Sequence, residues 1–200
     1  MRKVTVTIEG VSIVSFSKYI PASEAGFEKL PRENAEQWDR RFWHEKAHFN
    51  DDGHVILTDM MIKNCLTEAT KYLPEKVPGQ GRKQWGGFFM AGIIVPRIAG
   101  NFEIFENDKP ITKDTLSYKD ELVGTKDKKI PARYPVVKPG WTATGEVWVI
   151  EEIITSDIIE KYFSIAGNFV GLGRWRAGKG GPYGRFTVVD FEEGVCDIGL

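Results

Sequence analysis

Near its start the chain alternates apolar and polar residues. Lys3-Val-Thr-Val-Thr-Ile-Glu9 puts Val4, Val6 and Ile8 on one face, and Val11-Ser-Ile-Val-Ser-Phe16 continues the period of two. That pattern predicts a first β-strand with one buried face. Residues 21–33 are punctuated by Pro21, Gly26 and Pro31 and read as a loop; the charged stretch 34–47 predicts a short exposed helix. After the turn signal Asn50-Asp-Asp-Gly53, the spacing changes. Met61, Ile62, Cys65, Leu66, Ala69 and Leu73 recur at helical intervals behind Thr58 or Asp59 as N-cap, predicting a core-packed helix. Phe88-Phe-Met-Ala-Gly-Ile-Ile-Val95 is an unbroken apolar run and predicts a buried strand.

Residues 100–139 are rich in Lys and Asp, and predict a flexible insertion or binding arm. Thr144–Ile150 reads as a strand, residues 155–168 as a second helix capped by Thr155 or Ser156, and Arg185–Phe191 as a last strand. Strand, helix, strand, excursion, strand, helix, strand is the order of two β-α-β halves. It predicts one α+β domain over residues 1–200, a ferredoxin-like or RRM-type antiparallel sheet with two helices. The long excursion falls before the third core strand. Folds of this type often present an open sheet face to RNA.

Two hundred residues with 42% hydrophobic and 12% aromatic content are enough for one sizeable core. A net charge of −1 excludes a uniformly basic coat protein but not a local basic face. Cys65 and Cys196 are too few for a disulfide framework or a cysteine zinc site, and predict small buried hydrophobes. The N-terminal residues enter a strand pattern at once, which does not resemble a secretory signal. No uncharged apolar run approaches the roughly 20 residues needed to span a bilayer. The expectation is a cytoplasmic protein without a membrane partner.

The chemistry concentrates in residues 171–185, Gly-Leu-Gly-Arg-Trp-Arg-Ala-Gly-Lys-Gly-Gly-Pro-Tyr-Gly-Arg, which hold six glycines, four cations and two aromatics. Between Ser164 and Val189 there is no Asp or Glu. Glycines admit close approach of a ligand to backbone N–H groups. Arg174, Arg176, Lys179 and Arg185 supply phosphate-binding charge, and Trp175 and Tyr183 supply faces for base stacking. A strand pattern follows the loop, so it is not a dinucleotide fingerprint, and no GxxxxGK[ST] phosphate loop occurs. The expected ligand is RNA or another single-stranded nucleic acid, with no cofactor and no catalysis. Arg82, Lys83 and Trp85 form a second glycine-basic-aromatic loop; Lys126, Lys128, Lys129 and Arg133 give the excursion cations to clamp a strand.

A competing motif is His44-Glu-Lys-Ala-His48, which matches HExxH, with His54 six residues beyond. In a zinc metallopeptidase His44, His48 and His54 would be ligands and Glu45 the general base. The window is highly charged, and Asp51 stands where the turn glycine belongs. A histidine-based endoribonuclease using His44 or His54 near Tyr19 is a third reading.

Three segments carry a resemblance to a known family. They are Asp52-Gly-His-Val-Ile-Leu-Thr-Asp-Met-Met-Ile-Lys-Asn-Cys-Leu66, residues 155–173, and the glycine loop with the strand that follows it. Their order resembles the RAMP superfamily of CRISPR-associated proteins, within it the subunit that polymerises along guide RNA. The chain is shorter than that pattern, its excursion is brief, and its loop contains Trp175 and Pro182. The resemblance implies RNA binding by backbone contacts and shape, with self-association or assembly with other CRISPR-type subunits. Carried onto this chain it points first to Lys63, Asn64, Arg174, Arg176 and Arg185. The chain is also similar to phage-encoded proteins of this architecture, which implies as an alternative a mimic that blocks effector assembly.

Overall fold

The computed structural model describes residues 1–21, 23–124 and 129–195. Cys196, Lys126 and Lys128 lie outside the described residues. In chain order the elements are β1 (Arg2–Gly10), β2 (Val14–Ser15), α1 (Ala35–Phe42), α2 (Asp59–Ala69), α3 (Trp85–Gly92), β3 (Ile93–Ile94) and β4 (Glu103–Glu106). There follow β5 (Lys109–Pro110), β6 (Ser117–Gly124), β7 (Lys129–Val137), β8 (Thr142–Val149), α4 (Ser156–Ile165) and β9 (Phe186–Val195).

The main sheet runs β5-β4-β8-β1-β9, with β3 also pairing β8, and its neighbours are antiparallel. Its central order β4-β8-β1-β9, joined by α2 and α4 as crossovers, is the ferredoxin-like arrangement that the alternating strands predicted. Val4, Val6 and Ile8 are fully buried beneath the helices, which contribute Ile62, Leu66, Ile159 and Phe163. The opposite face carries Lys3, Thr5, Thr7 and Glu9 in register with Glu146, Asp190 and Glu192. That face is predominantly acidic, which disfavours a polyanion there.

Two boundaries differ from the sequence reading. The run Phe88–Val95 is not a strand; residues 85–92 are helical and only Ile93–Ile94 extend. Trp85, Phe89 and Gly92 fall on the buried face of that helix while Met90 stays 64% exposed, a helical periodicity hidden because neighbouring positions are apolar as well. The segment 100–139 begins inside the core: Phe102 and Ile104 are fully buried and β4 pairs β8. Farther along, β6 and β7 pair antiparallel, and β7 pairs β2 in a second, three-stranded sheet.

The charged stretch 34–47 also divides. Asn34 and Gln37 form a reciprocal capping box on α1, but the α-helix stops at Phe42 and a 3₁₀ turn runs to Lys46. Ala47 is extended. Among the described residues no helix is long and apolar enough to cross a membrane.

Candidate nucleic-acid interface

The glycine loop is tied down along its length. Gly184 donates its N–H to Ile13 and Leu172 donates to Gly184, while Arg174 donates to the Ser15 carbonyl at 2.7 Å. Tyr183 donates to the Trp175 carbonyl at 3.1 Å, closing the loop on itself. Gly184 needs its missing side chain: its φ is +77° and a Cβ there would collide with the Leu172 backbone.

Facing this loop is α2, whose start is fixed by Thr58, the hydroxyl of which accepts the Met61 N–H at 3.2 Å. Between them lies an open cleft of ≈ 480 Å³. Met60, Met61, Asn64 and Cys65 form one wall and Gly171–Arg176 with Lys179 the other, while Phe16, Ser17 and His48 close one end. A second cleft of ≈ 700 Å³, lined by the turn of residues 50–52 and by Asp59 and Arg97, shares His48 and Met60 with the first. The two clefts adjoin at His48 and Met60, and the first is cationic at the glycine loop.

Arg174 is the distinctive group of the cationic end. Its guanidinium stacks 3.5 Å from the Tyr134 ring centre and 4.0 Å from that of Trp175. Partial burial lowers its pKa, opposed by Tyr134, Glu121 and Tyr183. No carboxylate among the described residues forms an ion pair with it. Lys46 also meets Tyr134, with its ammonium 4.3 Å from the same ring, and pairs with Asp39. Strand β7 therefore supplies the surface that positions Arg174.

The other expected residues separate into three groups. Asn64 is exposed and Trp175 and Lys179 are accessible in the cleft. Arg176 is also there, but its Nη2 donates to Glu68 at 3.0 Å, and Lys179 lies 3.7 Å from the same carboxylate. Glu68 was missed because it lies outside the loop in sequence, yet it is one helical turn beyond Asn64 on the same face.

Lys63 turns away and donates to the Ile93 carbonyl at 2.7 Å, joining α2 to the end of α3. Arg185 donates to the Asn168 carbonyl at 2.8 Å, outside the cleft. Arg82 and Lys83 are exposed on a separate turn. Of the expected aromatic residues, Trp85 and Tyr183 are buried. Trp85 is 2% exposed among Phe88 and Phe89. Tyr183 is 7% exposed, and its hydroxyl donates to Glu121 at 3.0 Å. On β7 Lys129 is exposed, whereas Arg133 forms a two-point pair with Asp120 and stacks on Tyr118.

The HExxH geometry does not form, because the 3₁₀ turn ends before His48 and the chain extends. His44 meets Glu45 at 3.3 Å, which itself holds Lys113; His54 meets Glu103 at 3.4 Å; and His48 meets the edge of Phe16. No group of three His, Cys, Asp or Glu side chains among the described residues converges to hold a metal ion. Cys65 is free and buried in the α2 wall of the cleft, its thiol donating to the Gly171 carbonyl at 3.3 Å, and burial pushes its pKa up. It is a packing residue under the loop, not a nucleophile.

The class defined by this architecture is a ferredoxin-like α+β fold. The particular likeness is to a chain in the cryo-EM structure of the Type III-B Cmr-beta complex bound to cognate target RNA. The TM-score is 0.53 at 14% identity, over 96% of this chain and 60% of that one. The present chain thus spans about three-fifths of that chain's length. No protein-family model matches it, and no curated protein matches it in sequence.

Proposed function

We propose that this protein is a non-catalytic subunit that binds RNA, or another single-stranded nucleic acid, along the groove between α2 and the glycine loop, within a CRISPR-type ribonucleoprotein. The observation that carries this reading is Arg174, a half-buried guanidinium stacked between two rings with no carboxylate pairing it. A partly desolvated cation at the rim of an open cleft favours a phosphate, and the adjacent glycine backbone gives a polyanion room to approach. The acidic sheet face argues against the alternative ligand surface of this fold. The fold of the Cmr chain supports the same class of partner.

Recognition through the phosphates is insensitive to base sequence. Self-association along the strand, or assembly with other subunits, belongs to the same proposal.

The test is binding of labelled single-stranded RNA over a series of salt concentrations. The expected result is an affinity that falls linearly on a log–log plot, with Arg174→Ala weakening binding about tenfold and lowering the salt slope by about one. A folded wild-type protein that binds no oligonucleotide at low salt would sink the proposal.

A further inference from the structure

Three residues of α2, Met60, Asn64 and Glu68, recur every fourth position and so lie along one stripe, and Tyr72 follows in the trailing turn. The first two line the cleft opposite Arg174, and Glu68 holds Arg176 and Lys179. Tyr72 lies in the turn that follows the C-terminal end of α2, its N–H donating to the Ala69 carbonyl at 3.0 Å. At that far end its ring stands parallel to that of Phe169, with centroids 5.9 Å apart and planes 17° apart.

The pair is open to solvent, Tyr72 at 45% and Phe169 at 55% exposure. Phe169 belongs to a π-helical turn, Ala166–Val170, closed by the Gly171 N–H donating to the Ala166 carbonyl at 2.8 Å. In that wider turn Val170 is fully buried while Phe169 points outward. Such turns concentrate at functional sites, and a pair of exposed rings contributes little to folding.

The surroundings are basic. Lys71 precedes Tyr72, Arg185 is anchored on the carbonyl of Asn168, and Lys179 follows Gly178, where a side chain would crowd the Tyr72 hydroxyl. The nearest acids are engaged: Glu68 with Arg176, and Glu75 with Lys161 at 2.6 Å. Flat rings bordered by cations, at the end of the α2 stripe, complement a nucleobase with its phosphates.

We propose that Tyr72 and Phe169 form a nucleobase-stacking platform at the end of the α2 groove remote from Arg174. This rests on the nucleic-acid reading above and adds to it the surface that engages the bases. The platform is tolerant of base identity, because every base has a π-face.

The experiment uses the full chain, a short fluorescein-labelled oligouridylate and an abasic strand of equal length. The wild-type protein is expected to bind the oligouridylate more tightly. Phe169→Ala and Tyr72→Ala each weaken that binding about fivefold or more while leaving abasic binding and the salt slope unchanged. Phe169→Tyr and Tyr72→Phe retain it. Both rings are half-exposed, so the folded state is checked by thermal unfolding of each variant. Alanine variants that bind like the wild type, while Arg174→Ala binds weakly, overturn the platform alone. A wild type that binds neither strand overturns the nucleic-acid reading and the platform together. Alanine variants that change only the sedimenting mass identify the pair as a protein contact, and overturn the platform.

Discussion

Arg176 and Glu68 meet at 3.0 Å across 108 residues of sequence. Their pairing changes how the basic loop is to be counted. A window without a single acid is partly neutralised from α2, and the carboxylate occupies the place where a phosphate would bind Arg176 and Lys179. Glu68 thus holds both cations in position and, under the proposed function, would compete with a phosphate for them.

Removing that competitor should strengthen binding. Glu68→Gln is expected to raise affinity for single-stranded RNA by about fivefold at low salt, the scale of one partly exposed charge interaction. The stability cost should stay near 1 kcal/mol or below, read from urea unfolding. Fluorescence anisotropy checks the affinity. A fall in affinity comparable to that of Arg176→Ala would show that Glu68 acts only by positioning the guanidinium.

Charge and shape can be separated at Arg174. Arg174→Lys keeps the cation but loses the planar group that stacks on Tyr134 and Trp175. The salt slope should be preserved while affinity drops about three- to tenfold, corresponding to the roughly 0.5–1.4 kcal/mol of a cation–π contact. Equal affinity for the two proteins would mean that the charge alone matters.

The histidine at the junction of the two clefts makes stability depend on pH. Burial, followed by the charge of Lys18, lowers the pKa of His48 below its ordinary 6.5, and burial acts on His44 in the same direction. At pH below 6.5 the unfolded chain takes up protons that the folded chain resists. Stability should therefore fall as the pH drops through 6.5 toward the depressed folded-state values, and be fully present above it. Urea midpoints at neutral and mildly acidic pH check this. His48→Gln should reduce the difference, and an unchanged difference would remove His48 from the account.

Gly184→Ala tests whether the loop is a rigid part of the fold. The substitution imposes a left-handed conformation on a residue with a side chain and drives a Cβ into Leu172. The two effects together should cost about 2–4 kcal/mol in unfolding free energy. Gly79, also at positive φ but with nothing near its Cβ position, should lose only about 1–2 kcal/mol on the same change. Equal losses would indicate that the close approach at Gly184 is unimportant.

The period-two pattern of Val4, Val6 and Ile8 and the capped, helically spaced apolar residues after Thr58 determined the central strand and the main helix on their own. Local sterics and burial of one face leave such segments no competing arrangement. The cationic glycine loop was legible for the same reason, since its composition departs so far from the rest of the chain. The uniformly apolar run after Trp85 left helix and strand equally satisfied, and packing of Trp85 and Phe89 into the core decided it. Within the loop, tertiary structure alone distinguished Arg174, stacked and without a carboxylate partner, from Arg176, bound to Glu68. It also buried Tyr183, one of the two rings that composition offered for stacking, and exposed Tyr72 and Phe169. Ion pairing and exposure depend on atoms brought together from distant parts of the chain, so local sequence does not encode them separately from the fold.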